Sequence, residues 1–253
     1  MTASPYLTDA HRRLRERVRG FALERIEPVA RALDESSTFP WETVKAMGEE
    51  GLLGVPVPRE LGGLGLDCLS YIVVVEELAK HYASHAITVS AHTTIGTSPI
   101  LAVGTREQQE RWVPLLAAGR VLGGFGLTES GAGSDAGGTS TRAVRVPGGY
   151  RLSGSKIFIT HAGVGEIFTV TAVTDPSAGP RGITFFVVTK PTTDLDTANR
   201  IGFGHSDTLE FVEGVRAGKK EDKMGWPPTR ASFAWRMRSF RRRTGWVRRG
   251  RGS

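Results

Sequence analysis

Cysteine is nearly absent from this 253-residue chain: Cys68 stands alone, so no intrachain disulfide can form and a cysteine-based zinc site has no ligands. Missing too is any apolar run near the ~20 residues of a membrane span. The opening MTASPYLTDA has neither a basic stretch followed by an apolar one nor an Arg-rich amphipathic presequence, so a cytoplasmic location with no membrane attachment is expected. There is no GxSxG elbow, no P-loop GxxxxGK[ST] and no HExxH, which leaves hydrolase, nucleoside triphosphatase and zinc-protease readings without an anchor. His81, His85 and His92 fall at helical offsets and His81 could share a face with His85, but with no evident third ligand no metal is expected.

Acidic residues are missing from one place in particular. Residues 227–253 hold nine arginines and no Lys, Asp or Glu, while the rest of the chain has 24 basic against 26 acidic residues, a net of −2. The formal charge of +7 therefore belongs to the last 27 residues. That segment has no sustained apolar period and is expected to be a disordered basic tail, of a composition that a frameshifted GC-rich gene would give. The alternative is a nucleic-acid-associated protein acting through the tail, with Trp235 and Trp246 among the arginines to stack on bases.

The periodicity divides the remainder in two. Leu14, Val18, Phe21, Leu23, Ile26, Val29 and Leu33 recur at helical spacing between Leu7 and Asp34. A short helix follows from Trp41 to about Glu50, then a Pro/Gly-rich loop over Gly54–Asp67. Helices are expected over Cys68–Tyr82, with Val73, Val74, Val75, Leu78 and Ala79 inward and Glu76 and Glu77 on a solvated edge, and over Ser84–Val103, poor in charge and buried. Thr105 should cap a helix that ends at Gly119. Beyond it, VLGGFGL, TRAVRV, YRLSGSKIFIT, IFTVTAV and GITFFVV have strand composition, with Pro147-Gly148-Gly149 turning a hairpin. The fold class expected is α+β: a helical domain over 1–119, a β-barrel domain over 120–226 and the tail over 227–253.

Two segments carry chemistry. In Gly126–Gly138, GLTESGAGSDAGG, the glycines Gly131, Gly133 and Gly138 let a ligand approach the backbone, and Thr128 and Ser134 supply hydroxyls. Alone, this loop is equally a Gly/Ser turn between strands. In SGSKIFITHAG (Ser153–Gly163), Phe158 and Thr160 lie two apart on a strand, which places ring and hydroxyl on one side, though by spacing alone a core aromatic beside a surface Thr is the plainer reading.

Together, these segments, with WETVKAMGEEGLLGVPVPRELGG (Trp41–Gly63), Ser90–Glu129 and KKEDKMGW (Lys219–Trp226), resemble the acyl-CoA dehydrogenase family over roughly residues 7–226. The resemblance implies FAD as cofactor and α,β-dehydrogenation of an acyl-CoA thioester, in fatty acid metabolism, with electron-transfer flavoprotein as acceptor. It also implies roles for residues. Phe125, Leu127 and Thr128 line the isoalloxazine, and Gly133 and Ser134 meet the pyrophosphate, with Ser134 also near the CoA arm. Phe158, Ile159 and Thr160 match the family's aromatic-Ile-Thr/Ser triplet beside flavin N5. Departures are Ser130 for Pro, Phe158 for Trp and His161 for Asn; the stretch Pro191–Val215 is longer than the usual loop. After KKEDKMGW the family's pattern gives way to PPTRASFAWRMRSFRRR, and the C-terminal helical domain that supplies the catalytic base does not follow. No catalytic residue is therefore assigned. The chain is expected to be inactive by itself and to lose the family's homo-oligomeric assembly.

Overall fold

A computed structural model describes residues 5–147 and 149–189 with their side chains, and 215–220, 230–236 and 240–241 as backbone. Among the described residues, seven α-helices precede a mixed sheet. The first, α1 (Asp9–Phe21), is capped by Thr8, which accepts from the His11 amide while the His11 ring accepts from the Thr8 amide. It runs through a π-helical segment, Ala22–Ile26, into α2 (Glu27–Ser36).

The π-segment follows from the spacing of the core residues. Val18, Ala22 and Ile26 are all buried and four apart. Each step of four overruns an α-turn by roughly 40°, and the wider π-turn absorbs the excess. Leu23 and Val29, expected inward on a pure α-period, are exposed as a result. The helical core gathers Val18, Ala22 and Ile26 with Val44 and Met47 of α3 (Trp41–Glu49), Leu52, Leu53 and Val55.

The long helix packs on α4 (Cys68–His81), whose N-cap is Asp67. Here two expectations fail. Ala79 is exposed, whereas Glu77 is fully buried, not on a solvated edge. Its carboxylate accepts from Arg19 Nε at 2.7 Å and Lys80 Nζ at 2.8 Å. Desolvation pushes Glu77 up, but these two cations outweigh it and hold the carboxyl below its ordinary range.

α5 (Ala83–Ser90), a π-segment (Ala91–Thr97) and α6 (Ser98–Val103) form the buried, charge-poor stretch expected of them. In α7 (Arg106–Ala117), Thr105 and Gln108 form a reciprocal capping box, and Gly119 follows in the left-handed region at φ 66°. No helix among the described residues is long and apolar enough to cross a membrane.

All five strand segments legible in the sequence form strands. β1 (Gly123–Gly126) pairs parallel with β4 (Ile167–Val173), and β2 (Arg142–Val146) forms a hairpin with β3 (Gly149–Thr160). β5 (Ile183–Thr189) lies antiparallel to β4 across seven residue pairs. Gly148 of the predicted turn falls outside the described residues, but the register Val146↔Gly149 is that of the expected hairpin.

The chain then contributes β6 (Val215–Lys220), β7 (Arg230–Arg236) and β8 (Phe240–Arg241). β7 pairs antiparallel with β3 from Ser153↔Arg236 to Thr160↔Arg230, and β8 pairs with the start of β3. Disorder is expected of residues 227–253, the stretch that holds β7 and β8. Backbone pairing overrides composition because the ladder uses N–H and C=O groups common to all residues but proline, and no proline falls within β7. The remainder of the 227–253 tail, most of Pro191–Val215 and Glu221–Trp226 lie outside the described residues.

The two halves meet at Gly123. A Cβ on Gly96, in the second π-segment, would come within 2.7 Å of the Gly123 carbonyl carbon, and one on Gly123 within 3.0 Å of the Gly96 Cα, so backbone touches backbone. Two buried histidines hold the Gly123 residue. His92 Nδ1 accepts from the Gly123 amide at 3.1 Å while its Nε2–H donates to the Leu116 carbonyl, and His161 Nδ1–H donates to the Gly123 carbonyl at 2.9 Å. Each ring works as a neutral tautomer. Burial pushes His92 down to about 3 and His161 to about 4; His85, in the helical core against Thr43, is pushed to about 4 for the same reason.

Histidine ordinarily titrates near 6.5, so between pH ~6.5 and ~4 the unfolded chain binds protons that the folded chain excludes. Stability is therefore full above pH ~6.5 and falls as pH drops towards 4. The melting temperature should decline across that window, and His161→Asn should flatten the decline; a pH-independent melt between 7 and 4.5 contradicts this reading.

Candidate functional site

The site is built where β1 lies against the end of β3. A Cβ on Gly124 would come within 2.7 Å of the Thr160 carbonyl oxygen and 2.8 Å of the Phe168 ring, and one on Gly126 would touch the Ile159 and Lys156 side chains. Glycine at both positions is what lets β1 approach so closely. Between them Phe125 is half-buried, its ring stacked on Phe185 of β5 with centroids 6.0 Å apart. Leu127 and Thr128 continue from β1, and the Ile157 amide donates to the Thr128 carbonyl at 2.8 Å. Phe125, Leu127 and Thr128 thus sit beside Ile159 and Thr160. Gly133 and Ser134 lie farther out, on the exposed part of the loop. Added Cβ atoms at Gly131 and Gly133 would meet nothing within 4 Å, so this backbone is open to approach.

The alternation argument for Phe158 and Thr160 does not hold. Phe158 is 46% exposed with φ at 57°, whereas Ile159 and Thr160 are both buried. The β3–β7 ladder shifts register between Lys156 and Ile159, so the two-residue period breaks there. A non-glycine residue at positive φ is disfavoured, and a bulky one especially so. Such a conformation persists only where the surroundings impose it, and it clusters at ligand sites. Its effect here is to turn a large ring outward beside the glycine loop.

What connects the loop to β3 is a buried network in which the pairing of Glu129 with Lys156 was not expected from the sequence. Glu129 Oε1 accepts from the Thr139 hydroxyl, from the Thr141 hydroxyl at 2.6 Å, from the Thr141 amide at 3.0 Å and from Lys156 Nζ at 2.7 Å. Oε2 accepts from the Ser140 amide at 2.7 Å and hydroxyl at 2.5 Å. Lys156 also donates to the Leu127 carbonyl at 3.0 Å, and to the Thr139 and Thr171 hydroxyls. Both charged side chains are buried, Lys156 completely. Desolvation pushes Glu129 up, but Lys156 and the hydroxyls outweigh it and the carboxyl lies far below its ordinary range; for Lys156 burial is the larger influence and pushes the ammonium down against the pull of Glu129.

The clue available in the sequence was Lys156 in the inward phase of a strand, following Leu152 and Gly154, where a lysine needs a partner. Thr139-Ser140-Thr141 is the matching run of donors. The histidines singled out do not converge on a metal. His81 pairs with Glu27 at 2.7 Å, His85 with Thr43, and His92 with backbone.

Removing one partner of a buried ion pair typically costs about 3–5 kcal/mol, because a charge is left uncompensated. Lys156→Met should lower stability to denaturant by that order. The neutral pair Lys156→Met/Glu129→Gln should cost less than the lysine change alone; equal losses in the two proteins would show that the charge was not what mattered.

Residues 8–120 match the acyl-CoA dehydrogenase N-terminal domain, and residues 124–232 the acyl-CoA dehydrogenase middle domain. An acyl-CoA dehydrogenase of Bacillus subtilis (strain 168) is 40% identical over 210 residues, which are 82% of this chain and 55% of that protein. Among solved structures, butyryl-CoA dehydrogenase from Megasphaera elsdenii superposes with a TM-score of 0.83 at 34% identity, over 99% of this chain and 61% of that one. An acyl-CoA dehydrogenase complexed with FAD from Bacillus anthracis gives 0.75 at 29% identity, over 93% of this chain and 36% of that one. The chain thus spans little more than half the length of the first two. With a helical half, a mixed sheet and both domain matches in the same order, it belongs to the acyl-CoA dehydrogenase family.

Proposed function

We propose that this chain carries the flavin-binding half of an FAD-dependent enzyme that dehydrogenates an acyl-CoA thioester between its α and β carbons. The observation that carries this reading is the convergence of two segments distant in sequence. The glycine loop after β1 and the end of β3 meet around an outward-turned aromatic, Phe158, whose backbone is held at positive φ.

The residues fit the cofactor. Phe125, Leu127 and Thr128, leading out of β1, would line the isoalloxazine, with Phe158, Ile159 and Thr160 beside it. Gly133 and Ser134, on open and exposed backbone, would meet the pyrophosphate, with Ser134 also towards the CoA arm. FAD, when bound, supplies the two-electron acceptor for the hydrogen leaving the β-carbon. An electron-transfer flavoprotein would then collect those electrons.

The α-proton needs a carboxylate within hydrogen-bond reach. Glu129, next to the site, does not qualify. An ionised carboxylate offers about four lone-pair sites, and Glu129 already accepts from six donors. Its role is to hold the loop. With Glu129 spent in this way, the 253-residue polypeptide by itself is expected to turn over no acyl-CoA.

FAD titrated into the purified polypeptide should show saturable quenching of flavin fluorescence at micromolar or higher concentration; no saturable change at any concentration would refute the cofactor reading. Dye-reduction assays with short-, medium- and branched-chain acyl-CoAs should stay at background. Reduction that Glu129→Gln abolishes without loss of fold would show that this carboxylate is the base after all.

A further inference from the structure

The loop from Ser130 to Gly138 has little holding it from within. Ser130, Gly131, Gly133, Ser134 and Asp135 are exposed, and Gly131 and Gly133 have no neighbour where a side chain would be. The backbone bonds inside it are those between Glu129 and Ala132 and from the Gly138 amide to Asp135. Yet the two ends of the loop are tied with unusual density. Glu129 stands at one end and Thr139-Ser140-Thr141 at the other, and a single carboxylate accepts from all three of those residues. Lys156 joins this knot to β3, two residues before Phe158, and reaches Leu127 on the β1 side.

We propose that the Glu129–Lys156 network is a positioning device for the cofactor: it closes the stem of the glycine loop and fixes that stem to the strand bearing Phe158. The pyrophosphate-facing and isoalloxazine-facing parts are thereby set at a fixed separation before any ligand arrives. This rests on the flavin reading for what the loop meets, but not for how the loop is held. Glu129 and Lys156 are positioning residues, since their polar atoms are spent on the loop stem and on β4.

An alternative role for so many buried bonds is general support of the sheet, and the two roles predict different patterns of opening. A sheet support, once weakened, raises exchange in all strands that rest on it. A stem closure, once weakened, releases the loop alone.

Ser140→Ala separates them, because Ser140 is exposed and its removal deletes one hydroxyl bond to Glu129 without a core cavity. Amide hydrogen exchange on the 253-residue chain without flavin should speed up about tenfold between Glu129 and Thr141, the scale of one hydrogen bond to a charged group. Peptides of β4 and β5 should stay within about twofold. Ser140→Thr, which keeps the hydroxyl, should restore the parent rates. With FAD added, Ser140→Ala should weaken flavin quenching by about tenfold at temperatures well below its melt, and Ser140→Thr should not.

Unchanged loop exchange, acceleration shared equally by β4 and β5, or failure of Ser140→Thr to restore the rates each overturns the proposal. So does parent-like FAD affinity in Ser140→Ala. If the parent chain itself quenches no FAD, it is the cofactor assignment that fails, and the exchange pattern alone then decides whether the network closes the loop.

Discussion

Everything around the candidate site depends on where the Glu129 carboxylate finds its partners. A buried charge in an apolar sheet is tolerable only when it is paired and hydrogen-bonded. Here the demand is met by a lysine from β3, a run of three hydroxyl residues from the far end of a loop, and a threonine of β4 shared through the lysine. Satisfying one carboxylate thus fixes the relative positions of three strands and one loop. Stability is a weak reason for such an arrangement, since apolar side chains of similar volume often serve as well. Directional bonds give what apolar packing does not, a single register for the loop stem.

A second constraint acts on the other side of β1. Gly123, Gly124 and Gly126 let that short strand be crowded by the helical half, by the Phe168 ring and by β3 at once. With no side chains at those positions, β1 is located by its backbone, and His92 and His161 take hold of Gly123 through its amide and its carbonyl. The histidines are useful there because a neutral imidazole both donates and accepts. His92 uses both nitrogens to bridge the end of α7 and the start of β1.

Much of this was legible in the sequence. Helical and strand periods located the elements because both patterns are set by burial on one face, and the glycine loop and the Phe158–Thr160 triplet pointed to the place where the structure brings them together. What escaped had a common cause. The π-turn, the burial of Glu77, the Glu129–Lys156 pairing and the left-handed Phe158 each arise from contacts between residues far apart in sequence or from a departure from regular geometry. A fixed-period reading assigns Leu23 and Val29 inward because it has no term for a widened turn. It assigns Glu77 outward because Arg19 lies 58 residues away. Lys156 could have been suspected, as a charge in an inward phase; Phe158 could not, since nothing in its neighbours announces a positive φ.

The pairing of β3 has a consequence in time. One edge of β3 is covered at once by β2, its hairpin neighbour, but the other waits for β7, which begins seventy residues after β3 ends. At roughly 5–20 residues per second, synthesis leaves that edge bare for about 4–14 seconds. An uncovered strand edge is a template for any other strand in reach. On a polysome the nearest candidates are the β3 strands of sibling chains at the same stage, so crowding of translating ribosomes, more than the concentration of finished protein, sets the hazard of misassembly.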